Sequence, residues 1–311
     1  MAIYDINGNV IATGSSVFVS VKDFGATGTG VTSDSSAIQS ALDSLKDSGG
    51  IIYFPKGTYR LSVAVLFYSN QTLLFENGAR LVQGTEINNM MRSYSEDTWT
   101  EYNGVHDCMI IGAIFDGGTG TTNNTLLGIC HAKNITIKDC TFKNAYGTWH
   151  DLEINSSYNV KVLNCDFEGS RKTGANAELI QVDKAAQVNY PWSNVNYDGT
   201  SCKYVEIAGC VFHGDIISPA FGSHDGTGTH QFIRIHDNVF DGFTSERGTI
   251  NIASGQNVDI HDNTFNECTT GIGSSGATYY IHDNRFVDVT TAISGNASVA
   301  HNNMINGTFT A

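Results

Sequence analysis

The sequence predicts an all-β chain wound as a single-stranded right-handed parallel β-helix, a solenoid whose N-terminal end is sealed by one short helix. Three observations predict it: an internal repeat of twenty-odd residues, one aromatic at a fixed place in each copy, and an apolar pair at constant distance upstream of that aromatic. The composition agrees. Thirty-three glycines, three prolines and 41% apolar residues suit short strands joined by turns.

The segments 134–144, 159–169, 204–214, 232–242, 257–267 and 279–288 share one pattern, and 106–118 is an earlier copy. Their marker aromatics are Phe115, Phe142, Phe167, Phe212, Phe240, Phe265 and Phe286, separated by 27, 25, 45, 28, 25 and 21 residues. Steps in the twenties fit one solenoid turn each, and the long step implies a turn with about twenty inserted residues near 184–202. Ile129, Ile154 and Ile252 fall 13 residues before their marker, and Leu127, Leu152 and Ile250 fall 15 before it. Period-two alternation turns these pairs inward, so Gly128, Glu153 and Asn251 between them point outward. A leucine-rich repeat has a similar period, but its leucine consensus is absent.

Asn164, Asn238, Asn263, Asn284 and Asn303 read as a turn ladder, because Asn tolerates a left-handed backbone and its amide reaches the next coil. The His-Asp-Asn triplets 236–238, 261–263 and 282–284 recur within the repeat and read as turn formers, not catalytic groups. Upstream, Ser33–Leu45 reads as an amphipathic helix capped by Ser33 or Asp34, with Ile38, Leu42 and Leu45 on one face. Such a helix covers strand edges that would otherwise invite aggregation. Residues 1–17 read as an N-terminal segment and 18–311 as the β-helix domain.

A formal charge of −14 disfavours nucleic acid and anionic membranes. No run is apolar and long enough to insert in a bilayer. The opening residues lack the pattern of a secretory signal, which fits an extracellular or virion-associated protein that is either released by lysis or trimmed of its signal. Seven cysteines form no CxxC pair and read as reduced core residues, Cys140, Cys165 and Cys210 at one equivalent place.

The run from Val21 to Ser62, VKDFGATGTGVTSDSSAIQSALDSLKDSGGIIYFPKGTYRLS, resembles the opening of the pectate-lyase-like β-helix superfamily, including phage tailspike depolymerases and relatives of family 28 glycoside hydrolases. With the repeats, the resemblance covers residues 18 to 307. It implies a right-handed β-helix, a polysaccharide or oligosaccharide ligand, and a homotrimer of the kind found in phage members. Gly222-Ser223-His224 and Arg234-Ile235-His236 echo family 28 motifs, but the paired aspartates are missing, as are the calcium-binding aspartates of pectate lyases. The hydrolase assignments are therefore not carried over. No cofactor is implied, calcium being the one cation left open.

Three neighbouring coils depart from the repeat: Trp149–Glu153, Glu178–Lys184 and Phe221–Gly226. Glycoside cleavage needs two carboxyl groups, and adjacent coils bring outward side chains to about 5 Å. Glu153 and Asp183 are the preferred catalytic pair, with Asp151, Glu178 and Asp225 as alternates and His224 as a proton-transfer partner. Trp149, His150, Gln181, Trp192 and His230 are expected to bind sugar, Trp192 with Tyr190 and Tyr197 as aromatic walls of a groove. Arg171, Lys172 and Lys184 point to a carboxylated or sulfated sugar. Elimination is also open, with His150, His224, Lys172 and Lys184 as its base and cations. The rival reading is a non-catalytic carbohydrate-binding receptor or adhesin module.

Overall fold

The computed structural model describes residues 3–4, 10–12, 17–84, 87–169, 171–186, 192–223, 230–274, 278–295 and 297–309. Among them, three sheets of 9, 11 and 12 strands, parallel except for the antiparallel last strand Thr308–Phe309 of the 12-stranded one, run the length of a right-handed parallel β-helix. Each coil contributes one strand to each sheet in turn. In one coil, Thr125–Cys130 lies in sheet I, Lys133–Lys138 in sheet II and Thr141–Lys143 in sheet III, and the next coil restarts in sheet I at Leu152–Asn155.

The phase read from the aromatic markers holds. Phe115, Phe142, Phe167, Phe212, Phe240, Phe265 and Phe286 pair coil to coil in sheet III, with successive ring centroids 4.7–4.9 Å apart. All seven are buried. That spacing equals the strand separation, so each ring packs flat on its neighbour, and each fully buried side chain contributes about 1.5–3 kcal/mol. In sheet I, Leu127 pairs with Leu152 and Ile129 with Ile154, inward as alternation requires.

The corner between sheets II and III holds a polar ladder. Asn238, Asn263, Asn284 and Asn303 are buried, and each amide oxygen accepts the backbone N–H at the matching place one coil earlier, at 2.9–3.1 Å. Asn164 is not in this ladder: it has a φ of 52° one residue upstream, where later coils have Asp237, Asp262 and Asp283. The equivalent of Asn238 in its coil is Cys165, and Cys140, Cys165 and Cys210 continue the column as small buried groups. All seven cysteines are free thiols. His236, His261, His282 and His301 stack at 4.9–5.3 Å on the outside of sheet II. The first three bond through Nδ1 to the following aspartate. These triplets shape the turn.

Helix α1 spans Ser35–Ser44 and buries Ile38, Ala41 and Leu42 over the end of the stack. Asp34 sits at its N-cap without capping it, because its carboxylate accepts bonds from Thr27 N at 2.6 Å and Gly28 N at 3.2 Å. The Gln39 amide accepts from Leu66 N and donates to Leu66 O. The first strand of sheet I, Val65–Phe67, is thereby covered along its free edge.

Candidate functional site

The outward column of sheet I runs Arg92, Gly128, Glu153, Gln181, Gly222, Asn251 and Gly273 in register. A second outward column places Cys130, Asn155 and Asp183 opposite one another. Glu153 and Asp183 therefore share a face, one coil apart and displaced by two residues along the strand. Strand separation and rise set such a diagonal at roughly 8 Å, not the 5 Å expected for directly opposed side chains. The offset moves the pair from the retaining to the inverting span for glycoside cleavage.

Outward does not mean exposed here. Glu153 is 3% exposed, Gln181 1%, and Asp151, Asn155, Glu178 and Asp183 are fully buried. Ion pairs hold two of these carboxylates. Lys172 places its ammonium 2.7 Å from Asp151 Oδ1 and donates to Trp149 O, also at 2.7 Å. Burial raises the proton affinity of the Asp151 carboxyl, and the charge of Lys172 opposes that shift. Glu178 lies 3.8 Å from both His150 Nδ1 and Arg247 Nη1. Its side chain fills the space that Gly222 leaves by lacking a Cβ.

Among the described residues, Glu153 and Asp183 accept from neutral donors. Thr125 Oγ1 donates to Glu153 Oε1 at 2.8 Å, and Gln181 Nε2 donates to Asp183 Oδ2 at 2.6 Å. Ser223 Oγ donates to the other Asp183 oxygen at 3.3 Å. Since His230 Nδ1 accepts the Cys202 backbone N–H, its Nε2 carries the proton toward Ser223 Oγ, 3.3 Å away. The chain His230–Ser223–Asp183 is thus wholly buried. Neither amide atom of the adjacent Asn155 is hydrogen-bonded among the described residues.

Several expectations change. Arg171 does not wait for an acidic sugar: it donates to the carbonyls of Gly118 and Gly120 at 2.6 and 2.5 Å and covers the Tyr146 ring. Lys172 is buried with Asp151. Trp192, expected as an exposed platform, is 8% exposed and sets the edge of its indole against Gly128, where a Cβ would come within 2.3 Å of the ring. The Arg92 guanidinium lies over the ring, 5.2 Å from its centroid. Trp192 also packs with Cys130, Ala185 and Val195, so the long connection between Asp183 and Lys203 forms its own small core outside sheet I. Trp149 and Lys184 are half-buried beside the cluster. His224, Asp225 and Tyr190 lie outside the described residues.

Thr125, Asn155 and Ser223 were missed as members of the cluster. Register would have found Asn155, two residues after Glu153 on the same side of the sheet; Thr125, two before the inward Leu127, would have been assigned by alternation to the other side.

A family model described as rhamnogalacturonase A/epimerase, pectate lyase-like, matches residues 18–294. Over 260 residues the chain is 31% identical to the plasmin and fibronectin-binding protein A of Streptococcus pneumoniae, covering 72% of this chain and 36% of that protein. The chain thus spans about a third of that relative's length. Its structure is similar to that of a surface adhesin of Streptococcus pneumoniae, with a TM-score of 0.78, 23% identity, and coverage of 93% of this chain and 80% of that one. A hyperthermoactive exopolygalacturonase from Thermotoga maritima has a TM-score of 0.62 at 16% identity, covering 89% and 75%. These structural likenesses show the fold.

Proposed function

The chain belongs to the rhamnogalacturonase A/epimerase, pectate lyase-like family, and from that premise we propose that it holds a polysaccharide or oligosaccharide on its outer wall without cutting it. One observation carries this reading. Every described carboxylate of the sheet I cluster is 3% exposed or less, so none reaches a polymer lying on the surface. A general acid must come within hydrogen-bond reach of the glycosidic oxygen, and a closed wall denies that contact. The binding named in the pneumococcal relative's description supports a recognition role, and its surface setting supports an extracellular or virion-associated place for this chain.

A second reading has a specific observation behind it. Glu153 and Asp183 share a face one coil apart, on a backbone diagonal of roughly 8 Å that suits an inverting pair, beside a buried Asn155 amide with no described partner. On this reading the protein is an inverting polysaccharide hydrolase, and the wall opens to admit substrate. The other site candidates, His150, Glu178, Gln181 and His230, then position the pair.

Incubating the protein with neutral and acidic polysaccharides separates the readings. Binding without new reducing ends or unsaturated products supports recognition. New reducing ends that disappear in Glu153→Gln or Asp183→Asn establish the hydrolase instead.

A further inference from the structure

The outer face of sheet II carries a column that begins each repeat. Its members are Asp107, Asn134, Asn159, Tyr204, Phe232 and Asn257, all with φ between 54° and 57°. Asp and Asn adopt that left-handed conformation readily, whereas bulky side chains do so at a steric cost. In the first coils the polar members pay no such penalty and bond to one another, Asn134 to Asp107 and Asn159 to Asn134, each at 2.8 Å. Tyr204 and Phe232 break the ladder. Both are exposed, at 43% and 39%, with rings stacked 4.7 Å apart.

Stacking of the two rings offsets part of the steric cost, but asparagine takes the same backbone without it and would continue the ladder. Strained backbone under exposed rings is the signature of a surface kept for a ligand. The strip continues through Tyr158, 5.0 Å from Tyr204, to Tyr102, 5.3 Å from Tyr158. Tyr102 is fixed: its hydroxyl donates to Ser201 O at 2.8 Å. The loop before it is held by buried His131, whose ring nitrogens each face a carbonyl oxygen, of Glu101 and Asn196, at 2.7 Å.

An open cleft lies on each side of Tyr102. One, of about 370 Å³, is lined by Glu101, Lys203 and Gln231. The other, of about 350 Å³, is lined by Glu101, Asn103 and Lys133. Each pairs an ammonium donor with a carboxylate acceptor and an amide that does both. Sugar hydroxyls, which donate and accept at once, match that set. The apolar C–H faces of pyranose rings match the aromatic strip. The two clefts share Glu101, so their lining holds two ammonium groups against one carboxylate; that single positive charge sits in a chain at −14 that repels a polyanion, and the matching glycan is uncharged.

We propose that the strip Tyr102–Tyr158–Tyr204–Phe232, with the two clefts beside Tyr102, is the binding site for a neutral glycan chain; this rests on the recognition reading above and gives it a location. The test is affinity electrophoresis and calorimetry of the whole protein against neutral polymers (glucan, mannan, xylan, galactan) and acidic ones (polygalacturonate, alginate, hyaluronan). The diagnostic variant is Tyr204→Asn with Phe232→Asn, which restores the ladder and so leaves the melting temperature unchanged or higher. Wild-type binding to a neutral polymer, weakened at least about tenfold in that variant, supports the site. Unchanged affinity in the variant overturns the site and leaves recognition standing. Binding to acidic polymers alone overturns the neutral class, and no binding by the wild type overturns both the site and the recognition reading.

Discussion

On sheet I the outward side chains Glu153, Gln181 and Asp183 are each 3% exposed or less, whereas on the outside of sheet II Tyr204 and Phe232 stand 43% and 39% exposed. Both walls come from one repeat with one alternation. The difference lies at the corners. Sheet I is flanked by the Trp192 connection on one side and by the loops carrying Lys172 and Glu178 on the other, which fold polar and ionic groups over it. Alternation thus fixes the side to which a residue points, and the connections between strands decide whether it meets solvent.

The largest effect that sharpens this contrast is expected from the buried ion pair. Lys172→Met leaves the Asp151 carboxyl enclosed without its cation and should cost about 3–5 kcal/mol in denaturant unfolding. Adding Asp151→Leu should recover most of it. A loss below ~1 kcal/mol in the single variant would show that the wall is wetter than its burial implies.

Next comes the seat of the tryptophan. Gly128→Ala drives a methyl into the Trp192 indole and should cost about 1–3 kcal/mol. Hydrogen exchange should accelerate from 192 to 202 and leave the Phe142–Phe212 coils unchanged. Uniform acceleration would mean that the connection is part of the main cooperative unit.

On the open wall the sign reverses. Tyr204→Asn should leave stability unchanged or raise it by up to about 1 kcal/mol, since asparagine relieves the left-handed strain. A loss above that size would make the exposed rings structural.

The smallest effect is a pH dependence at the far end of sheet II. Burial works to lower the proton affinity of His282, but its bond to Asp283 and the nearby charge of Asp259 outweigh it and raise the pKa above the ordinary 6.5. The stabilisation is complete below that ordinary value and is lost as pH climbs through the raised one. Stability should therefore fall from pH 6 to pH 8 by less than ~1 kcal/mol more in the wild type than in His282→Asn. Equal slopes would remove His282 from the ladder's energetics.

The coil phase was legible because Phe115 to Phe286 and the Leu127/Ile129 pairs repeat with a period that admits one register. Asn164 misled by one residue, since Asn suits both the left-handed turn position and the buried ladder beside it, and only neighbouring Cys165 distinguishes them. The closure of the sheet I wall was not legible: Lys172 reaches Asp151, Trp192 packs on Cys130 and His230 backs Ser223 from other coils, which no periodicity records. The aromatic strip did leave a signal. The repeat segments open with Asn134, Asn159, Tyr204, Phe232 and Asn257, and the two aromatics stand out once that first place is known to need a left-handed backbone.

A crystal structure with a bound neutral oligosaccharide tests the contrast between the walls most directly. Sugar rings laid across Tyr204 and Phe232, with Glu153 and Asp183 still covered, are the predicted result. A sugar seated between those two carboxylates, with the Trp192 connection displaced, would contradict it.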